Sequence, residues 1–217
     1  MMKFSNETIG VLKNFSSINP SIVFKPGSVV RTISPQKTVM AAATISETID
    51  TKAGVYDLSR LLATLSLFDK PEVSFGEEKF TIKGGKSEVN YTYTSESLIV
   101  SPPDNDITVP DPEATVSVTW QDIDSVLRAT GVLQLPEVAF SCDGSTIKLS
   151  AVDSKTSTAD KYEVVVAEDV SCPPFNMIIK TDNLKLVPTD YEVTLSSKGM
   201  AHFKSDVVQY WIAIESR

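Results

Sequence analysis

The sequence predicts an α+β fold built from two similar domains, each with two helices packed on antiparallel sheets. Three observations lead to this prediction. A helical stretch, a proline and a short apolar strand before a glycine turn recur four times along the chain. Strand-like segments that alternate apolar and polar residues follow each unit. A proline-rich, acidic segment separates the units into two pairs, as an interdomain linker does. Because a repeated unit buries its apolar face only against its neighbours, the repeat specifies the architecture.

The four repeats share a strand core that follows a proline. The cores occupy residues 21–24, 72–75, 137–140 and 192–195, and the prolines are Pro20, Pro71, Pro136 and, at a greater distance, Pro188. A proline stops the preceding helix and biases the residue before it toward extended backbone. Each repeat is therefore predicted to change from helix to strand at its proline.

The helix starts are marked by capping residues that precede apolar positions three and four apart. Ser5, Asp57 and Thr119 fill this role for three helices, and a shorter fourth helix is predicted to start near Thr181. The predicted strands occupy residues 29–33, 39–45, 80–83, 89–94, 146–152, 162–167, 175–179, 201–204 and 207–214. Each helix is thus predicted to be followed by several antiparallel strands.

The domain boundaries follow from the acidic, proline-rich segment. We expect a first domain over residues 1–98, a connector over 99–114 and a second domain over 115–217. The chain is long enough for two ordinary domains, and its 41% hydrophobic content supplies a core for each. It contains neither a signal-peptide pattern nor an apolar run of membrane-helix length, so we expect a soluble intracellular protein. Cys142 and Cys172 are expected to be buried, reduced thiols.

Catalytic chemistry has few candidate residues. The single histidine, His202, falls in a predicted strand, and neither a nucleophile–histidine pair nor a multi-histidine metal site can be assembled around it. Residues 84–87 resemble the end of a phosphate-binding loop, but Phe80 stands where that motif needs glycine, and a strand follows instead of a helix. We predict a hairpin there, and no enzyme activity, metal or cofactor.

Basic residues recur on the predicted helices, although the net charge of the chain is −8. Lys13 and Arg128 occupy one repeat position, each within a stripe of small polar residues: Asn6, Gly10 and Ser17 in the first helix, Gln121 and Ser125 in the third. Lys185 follows the same order more loosely, whereas the second helix has Ala63 at this position and Arg60 about one turn earlier. Such cations either face solvent, as on any amphipathic helix, or contact a phosphate backbone without reading bases.

Several blocks together resemble the sliding clamps of T-even-type bacteriophages. They are residues 11–19, 55–67, 126–134, 175–179 and 210–215, and the resemblance runs from about Lys3 to Glu215. It implies the sliding-clamp fold: two domains per subunit, closing head to tail into a homotrimeric ring with helices lining the hole, as in the eukaryotic proliferating cell nuclear antigen. It also implies a processivity factor that encircles duplex DNA, with Lys13, Arg60, Arg128 and Lys185 facing the duplex. The connector and the second helix depart from the family pattern.

The resemblance further implies where subunits and clients would bind. Subunit contact would pair Val89, Tyr91 and Tyr93 of one copy with Tyr162, Val164 and Val166 of the next, although these can equally be ordinary edge strands. Leu98, Val100, Tyr210 and Ile212 are candidates for an apolar client-peptide pocket, the alternative being that they are core residues.

The partners implied by the resemblance are those of viral replication. They are the replicative DNA polymerase, an ATP-driven clamp loader and the late transcription machinery, in the cytoplasm of the infected bacterial host. Two other functions remain open from the residues alone. A virion structural protein would use the repeated β units for oligomer contacts, and a hydrolase would use pairs of carboxylates.

Overall fold

The computed structural model of the chain describes residues 1–215. The described part contains three α-helices and fifteen β-strands, in chain order α1 (Asn6–Ile18), β1 (Ile22–Phe24), β2 (Gly27–Ile33), β3 (Val39–Ile49), β4 (Ala53–Val55), α2 (Leu58–Leu65), β5 (Glu72–Phe75), β6 (Lys79–Gly84), β7 (Ser87–Thr92), β8 (Ala114–Val118), α3 (Trp120–Leu133), β9 (Glu137–Cys142), β10 (Ile147–Val152), β11 (Tyr162–Ala167), β12 (Phe175–Lys180), β13 (Tyr191–Ser196), β14 (Met200–Lys204) and β15 (Val208–Ala213). The predicted α+β fold class is confirmed.

The chain forms two compact units, Met1–Asn105 and Asp106–Arg217. Their boundary falls inside the segment 99–114 that the sequence marks as a connector. No strand forms between Thr92 and Ala114, where the described backbone contains only a 3₁₀ turn at Glu96–Leu98. The acidic, proline-rich composition of this segment therefore corresponds to a stretch without regular pairing.

The first unit packs α1 and α2 over antiparallel strands. Strand β1 pairs with β4, β2 forms a hairpin with β3, and β5, β6 and β7 form a three-stranded sheet in that order. Phenylalanines fill the core: Phe80 lies 6.1 Å from Phe24 and 4.7 Å from Phe75 between ring centroids, both edge to face. Aromatic pairs with this geometry add stability beyond the area they bury.

In the second unit, α3 packs on one of two antiparallel groups of strands. Strands β11, β10, β9 and β12 form a four-stranded sheet in that order, and β8, β13, β14 and β15 are successive neighbours in another. Phe140 of the first sheet lies 6.1 Å from Phe203 of the second between ring centroids, and both side chains are buried. The cores of the two sheets are therefore continuous within this unit.

The three predicted capping residues are confirmed. Ser5 accepts a hydrogen bond from the backbone N–H of Thr8, and Asp57 and Thr119 make the equivalent contact three residues ahead. Each cap satisfies one of the free N–H groups in the first helical turn. These local bonds explain why the sequence locates α1, α2 and α3 correctly.

The predicted fourth helix is wrong. Thr181–Asn183 forms a single 3₁₀ turn, and the following residues adopt no helix before Pro188. The backbone N–H of Val187 donates to the hydroxyl of Tyr210 at 3.1 Å instead of to a carbonyl one helical turn earlier. Leu184 and Leu186 are buried, as predicted for an apolar face, but on irregular backbone.

The expectation of two reduced thiols is also wrong, because the structure joins Cys142 and Cys172 in a disulfide. Cys142 ends β9, and Phe175 of β12 is its register partner. That register places the segment just before β12, which contains Cys172, beside the end of β9. A separation of 30 residues in sequence gives no sign of this proximity.

Candidate functional site

Helix α1 presents a polar stripe on the face opposite its buried residues. Leu12 and Phe15 are fully buried. The predicted stripe is exposed at all four positions, namely Asn6, Gly10, Lys13 and Ser17. This face carries one cation among small side chains, so a large anionic surface could approach the helix closely.

The N-terminus of α1 is tied to β3 through Glu47. Its carboxylate accepts hydrogen bonds from the backbone N–H of Ser5 and from the hydroxyl of Thr8. Partial burial acts to raise the pKa of Glu47, but the bonds from Thr8 and Ser5 outweigh it and hold this pKa below its ordinary value. The helix that carries Lys13 is thus anchored at its first turn.

Arg60 on α2 is exposed and lies against the edge strand β7. Its guanidinium carbon is 5.9 Å from the centroid of the Tyr91 ring, within the range of a cation–π contact. The Tyr91 hydroxyl donates to the backbone carbonyl of Asp57 at 3.0 Å. Burial, followed by the charge of Asp57, raises the pKa of Tyr91. This cation is therefore held in place by the strand beside it.

Arg128 on α3 is exposed and ion-paired. Its side chain, 76% exposed, contacts the carboxylate of Asp124 one helical turn earlier. Ile123 and Val126 bury the opposite face of the helix. Arg128 was predicted as a site residue and Asp124 was not, although the spacing of four residues is the signal by which such helical pairs are recognised.

Lys185 lies outside any helix. Its side chain is exposed, between the buried Leu184 and Leu186. Leu184 shares an apolar cleft with Ile123 and Val126 of α3, so the segment carrying Lys185 packs against that helix. Lys13 and Arg60 belong likewise to the packed helices α1 and α2. Two of the four predicted cations thus lie in each unit, on elements that pack against one another.

Two strands of the predicted subunit interface lie at sheet edges within their own units. Strand β7 pairs with β6, and β11 pairs with β10. Most apolar residues named for the interface are half-buried, namely Val89, Tyr91 and Tyr93 in the first unit and Val164 and Val166 in the second. The residues that alternate with them, Asn90, Thr92, Glu163 and Val165, are exposed. Tyr162 is 38% exposed. These side chains largely face inward, so the groups each edge offers to another chain are backbone N–H and C=O.

The four candidates for a client pocket fall into two groups. Leu98 and Val100, before the unit boundary, are 67% and 41% exposed. Tyr210 and Ile212 are fully buried in β15, and the Tyr210 hydroxyl accepts from the backbone of Val187. Their burial makes Tyr210 and Ile212 core residues, which is the alternative that the sequence left open, and the prediction that they contact a peptide is wrong. Strand β15 is buried on both faces, which removes the alternation that the sequence-based choice relied on.

A surface groove that the sequence did not reveal lies at the start of the connector, within the first unit. Its volume is about 350 Å³, and β1, β2 and the segment after Val100 line it. Lys25 and Arg31 lie on one side, and Lys25 forms an ion pair with Asp104 on the other. Because 79 residues separate these partners, no local pattern indicates their contact.

Other candidate chemistry is sparse in the part of the chain that the structure describes. His202 is half-buried and stacks on Trp211 at 4.8 Å between ring centroids, and its Nε2 lies 3.1 Å from Gln209 Oε1. No group of three or more His, Cys, Asp or Glu side chains among residues 1–215 is arranged to hold a metal ion. Within the same residues, no helix has both the length and the apolar character needed to cross a bilayer.

The fold of this chain matches those of solved structures from archaea and bacteria. The proliferating cell nuclear antigen of Thermococcus kodakaraensis matches with a TM-score of 0.71 at 12% identity, over 98% of both chains. The β chain of DNA polymerase III from Streptococcus pneumoniae matches with a TM-score of 0.71 at 11% identity, over 99% of this chain and 64% of that chain. At this level of identity the likeness shows the fold alone, which is that of a sliding clamp.

Sequence relatives then define the family. The chain is 31% identical over 220 residues to the sliding clamp of Vibrio phage KVP40, covering 99% of this chain and 100% of that protein. It is 30% identical over 223 residues to the sliding clamp of Enterobacteria phage T4, covering 99% and 97%. The family profile described as DNA polymerase processivity factor matches residues 5–101, and that described as gp45 sliding clamp, C terminal, matches residues 115–216. The protein belongs to the sliding-clamp family of T4-type phages, the DNA polymerase processivity factors.

Proposed function

We propose that three copies of this chain close into a ring that encircles duplex DNA and tethers the replicative polymerase of a bacteriophage. The observation that carries the proposal is the presence, in each of the two units, of an unshared strand edge and a helix that bears an exposed cation, in a chain of this family. Edges permit closure, and helix surfaces permit contact with a duplex that passes through the ring.

The ring is proposed to close through head-to-tail contacts. Strand β7 of one copy would pair with β11 of the next, extending one sheet across the boundary and satisfying backbone groups on both edges. A heterologous contact of this kind closes when the rotation between copies divides a full turn. A closed ring leaves no edge of this type exposed, which also limits unwanted edge-to-edge aggregation.

Duplex DNA is proposed to pass through the hole without sequence recognition. Lys13, Arg60, Arg128 and Lys185 would supply about twelve cations in a trimer, acting through phosphate contacts and counterion release. The chain carries a net charge of −8, so long-range electrostatics oppose rather than favour binding to DNA. Retention would therefore depend on topology: the ring must open, or reach a DNA end, before it dissociates.

The partners follow from this role. The polymerase is proposed to dock a short tail peptide on a surface that includes Leu98 and Val100, the two exposed residues among the four candidates. An ATP-driven clamp loader would open the ring, and the late transcription machinery would use the loaded ring as well. The protein is proposed to act as a tether without catalysis of its own, in the cytoplasm of the infected bacterial host.

Oligomeric state gives the first test of this proposal. Native mass spectrometry of the purified chain, with a subunit mass of 23.6 kDa, should give a species of about 71 kDa, three times that value. A stable monomer at micromolar concentration would contradict ring closure. Primer extension with the phage polymerase and loader should give longer products when the chain is added, and the double charge reversal Lys13→Glu with Arg60→Glu should shorten them. An unchanged product length in that variant would favour a structural role instead.

A further inference from the structure

A second groove, here called the polar groove, lies in the second unit on the face of the four-stranded sheet opposite α3. Its volume is about 430 Å³, and β9, β10, β12 and the loop between β10 and β11 line it. Side chains alternate across a strand, and Phe140 and Leu149 pack beneath α3, so Ala139, Ser141 and Ser150 face the groove. Because these three side chains are small, space remains between the sheet and the loop.

The loop of residues 153–161 forms one wall of the polar groove and is held by hydrogen bonds. The backbone N–H of Ser154 donates at 2.9 Å to the carboxylate of Glu137, a residue that is 8% exposed. The Asp153 carboxylate accepts from the backbone N–H of Lys155, and the bond from the Thr156 side chain holds the pKa of Asp153 below its ordinary value. The hydroxyls of this wall therefore belong to a bonded loop rather than to a free segment.

Ser150 places a buried hydroxyl on the floor of the polar groove. Its side chain is fully buried, and its Oγ has no hydrogen-bond partner among residues 1–215. Its register partner on β9 is Ala139, which lies opposite Ile178 of β12, and its partner on β11, Glu163, is already paired with two lysines. Buried hydroxyls are nearly always bonded, and each can both donate and accept. A ligand group that enters the groove would satisfy this one.

Charges of both signs line the polar groove. Asp153 and Asp160 are negative, whereas Lys161 is positive and pairs with Glu163 at 2.6 Å. An anion would approach the two carboxylates, and a cation would approach Lys161, so neither sign is favoured throughout. The other polar side chains of the lining are uncharged, namely Ser141, Ser150, Ser154, Thr156, Ser157 and Asn176. This composition favours an uncharged ligand that forms hydrogen bonds.

We propose that the polar groove binds an uncharged, hydroxyl-rich ring compound, a pentose or hexose sugar. One sugar hydroxyl bonds to Ser150 and a second donates to the exposed carboxylate of Asp160, while the ring carbons contact Val152 and Ala159. Small-ligand sites usually measure about 300–1,000 Å³ and combine an apolar surface with a few polar groups that fix orientation. The proposal goes beyond the clamp function and does not rest on it.

Other classes of small ligand complement fewer of these groups. A phosphate or a carboxylic acid would bring negative charge beside Asp153 and Asp160. An extended peptide would need unpaired backbone groups, but β9 and β10 are each paired on both sides. An apolar molecule would leave the Ser150 hydroxyl without a bond. A sugar hydroxyl both donates and accepts, so it complements serine hydroxyls and a carboxylate alike.

Saturation-transfer NMR on the whole protein tests the ligand class. The neutral probes are the methyl glycosides of glucose, galactose and ribose, which separate hexose from pentose. At least one should bind, and tetrahydropyran-2-methanol, a similar ring with a single hydroxyl, should bind at least about tenfold more weakly. No saturation transfer from any of the three glycosides at up to about 50 mM would overturn the proposal, because binding would then be negligible. Equal binding of the hydroxyl-poor ring would overturn it as well.

Charged probes test the preference for an uncharged ligand. Glucuronate and 2-aminoethyl glucoside add a carboxylate or an ammonium to the same kind of ring, and both should bind more weakly than methyl glucoside. Tighter binding of either one would identify an ion site and overturn the proposal. The comparison at low and high NaCl should leave the affinity of the neutral probe unchanged, since no ion pair forms with it.

Variants of the protein locate the site. Ser150→Ala should weaken glycoside binding by about five- to tenfold, the effect of losing one hydrogen bond. Ser141→Leu should abolish binding by filling the groove, and Asp160→Asn should weaken it severalfold. Ser117→Ala, at an exposed position of β8 in another sheet, is the matched control and should bind as the wild-type protein does. Equal affinity of Ser150→Ala and Ser117→Ala would overturn the proposal.

Urea unfolding without sugar separates a lost contact from a damaged fold. Ser150→Ala removes a buried hydroxyl that has no partner, so its unfolding midpoint should rise above that of the wild-type protein. A lower midpoint would show that the hydroxyl is already satisfied within the fold, which would contradict the proposal. Primer extension on the same preparations tests the clamp function independently: Ser150→Ala should stimulate the polymerase fully, whether or not it binds sugar.

Discussion

Arg128 forms an ion pair with Asp124, one turn earlier on the same face of α3. The cation that stands at the same repeat position as Lys13 is therefore partly neutralised by its own helix. In the proposed ring, this pairing would weaken the phosphate contact of Arg128 and so favour a mobile duplex. Phosphate contacts position a protein on DNA without fixing it at a sequence, so weakening them favours movement.

Removing the carboxylate of this pair should strengthen contact with DNA. We expect Asp124→Asn to raise affinity for a short linear duplex by about two- to fivefold at low salt, since exposed ion pairs have energies of this order. The dependence of affinity on NaCl should steepen, because more counterions are released. Fluorescence anisotropy against salt measures both effects. Asp169→Asn, in an exposed turn, is the matched control, and an equal affinity for both variants would argue against a DNA-facing Arg128.

Negative charge at the β7 edge should open the proposed ring. Asn90 and Thr92 are exposed on this strand, and Glu163 is exposed on β11, its proposed partner in the next copy. Like charges on directly paired strands are destabilising. The double variant Asn90→Glu, Thr92→Glu should shift the native mass from trimer toward monomer at micromolar concentration. Thr48→Glu, at an exposed position of β3, should leave the mass unchanged. If the double variant on β7 stayed trimeric, the interface would have to lie elsewhere.

Two glycines should respond in opposite directions to the same substitution. A Cβ on Gly84 would lie 2.6 Å from Cδ1 and 2.7 Å from Cβ of Phe68, closer than packed atoms allow. Gly84→Ala should therefore lower the free energy of unfolding by about 1–3 kcal/mol, the usual cost of overpacking. At Gly131 in α3, a Cβ meets nothing within 4 Å, so Gly131→Ala should stabilise the helix by up to about 1 kcal/mol. Urea denaturation distinguishes the two, and a shift of the same sign in both would refute this packing.

His202 should make stability depend on pH in the neutral range. Burial lowers the pKa of His202 and the Lys204 charge adds to this, while Gln209, Asp106 and Glu192 oppose it. The unfolded chain then binds the proton more readily than the folded one, so the contribution is complete above about pH 6.5 and is lost as pH falls from there toward the lowered folded value. Urea unfolding at pH 7.5 and 5.5 should show a smaller loss of stability in His202→Gln than in the wild-type protein. An equal loss in both would assign the pH dependence to other groups.

Local signals in the sequence were sufficient for some of this structure and insufficient for the rest. Ser5 and Thr119 identified helix starts because capping is decided within three or four residues. The prediction of a fourth helix was wrong because the backbone of Val187 bonds to Tyr210, a contact between residues distant in sequence. The ion pair between Lys25 and Asp104 could not be predicted for the same reason. Asp124 differs, since its spacing from Arg128 was present in the sequence and identifies the pair.

Retention on DNA of two topologies tests the central claim most directly. The purified chain, labelled with a fluorophore, is loaded by the phage clamp loader onto a nicked circular plasmid, and half of the sample is then linearised with a restriction enzyme. A ring held by topology should remain on the circle for minutes and leave the linear DNA rapidly through its ends, even at a salt concentration that abolishes direct binding. Equal retention on both forms would contradict the account, because it would mean that charge contacts rather than encirclement hold the protein on DNA.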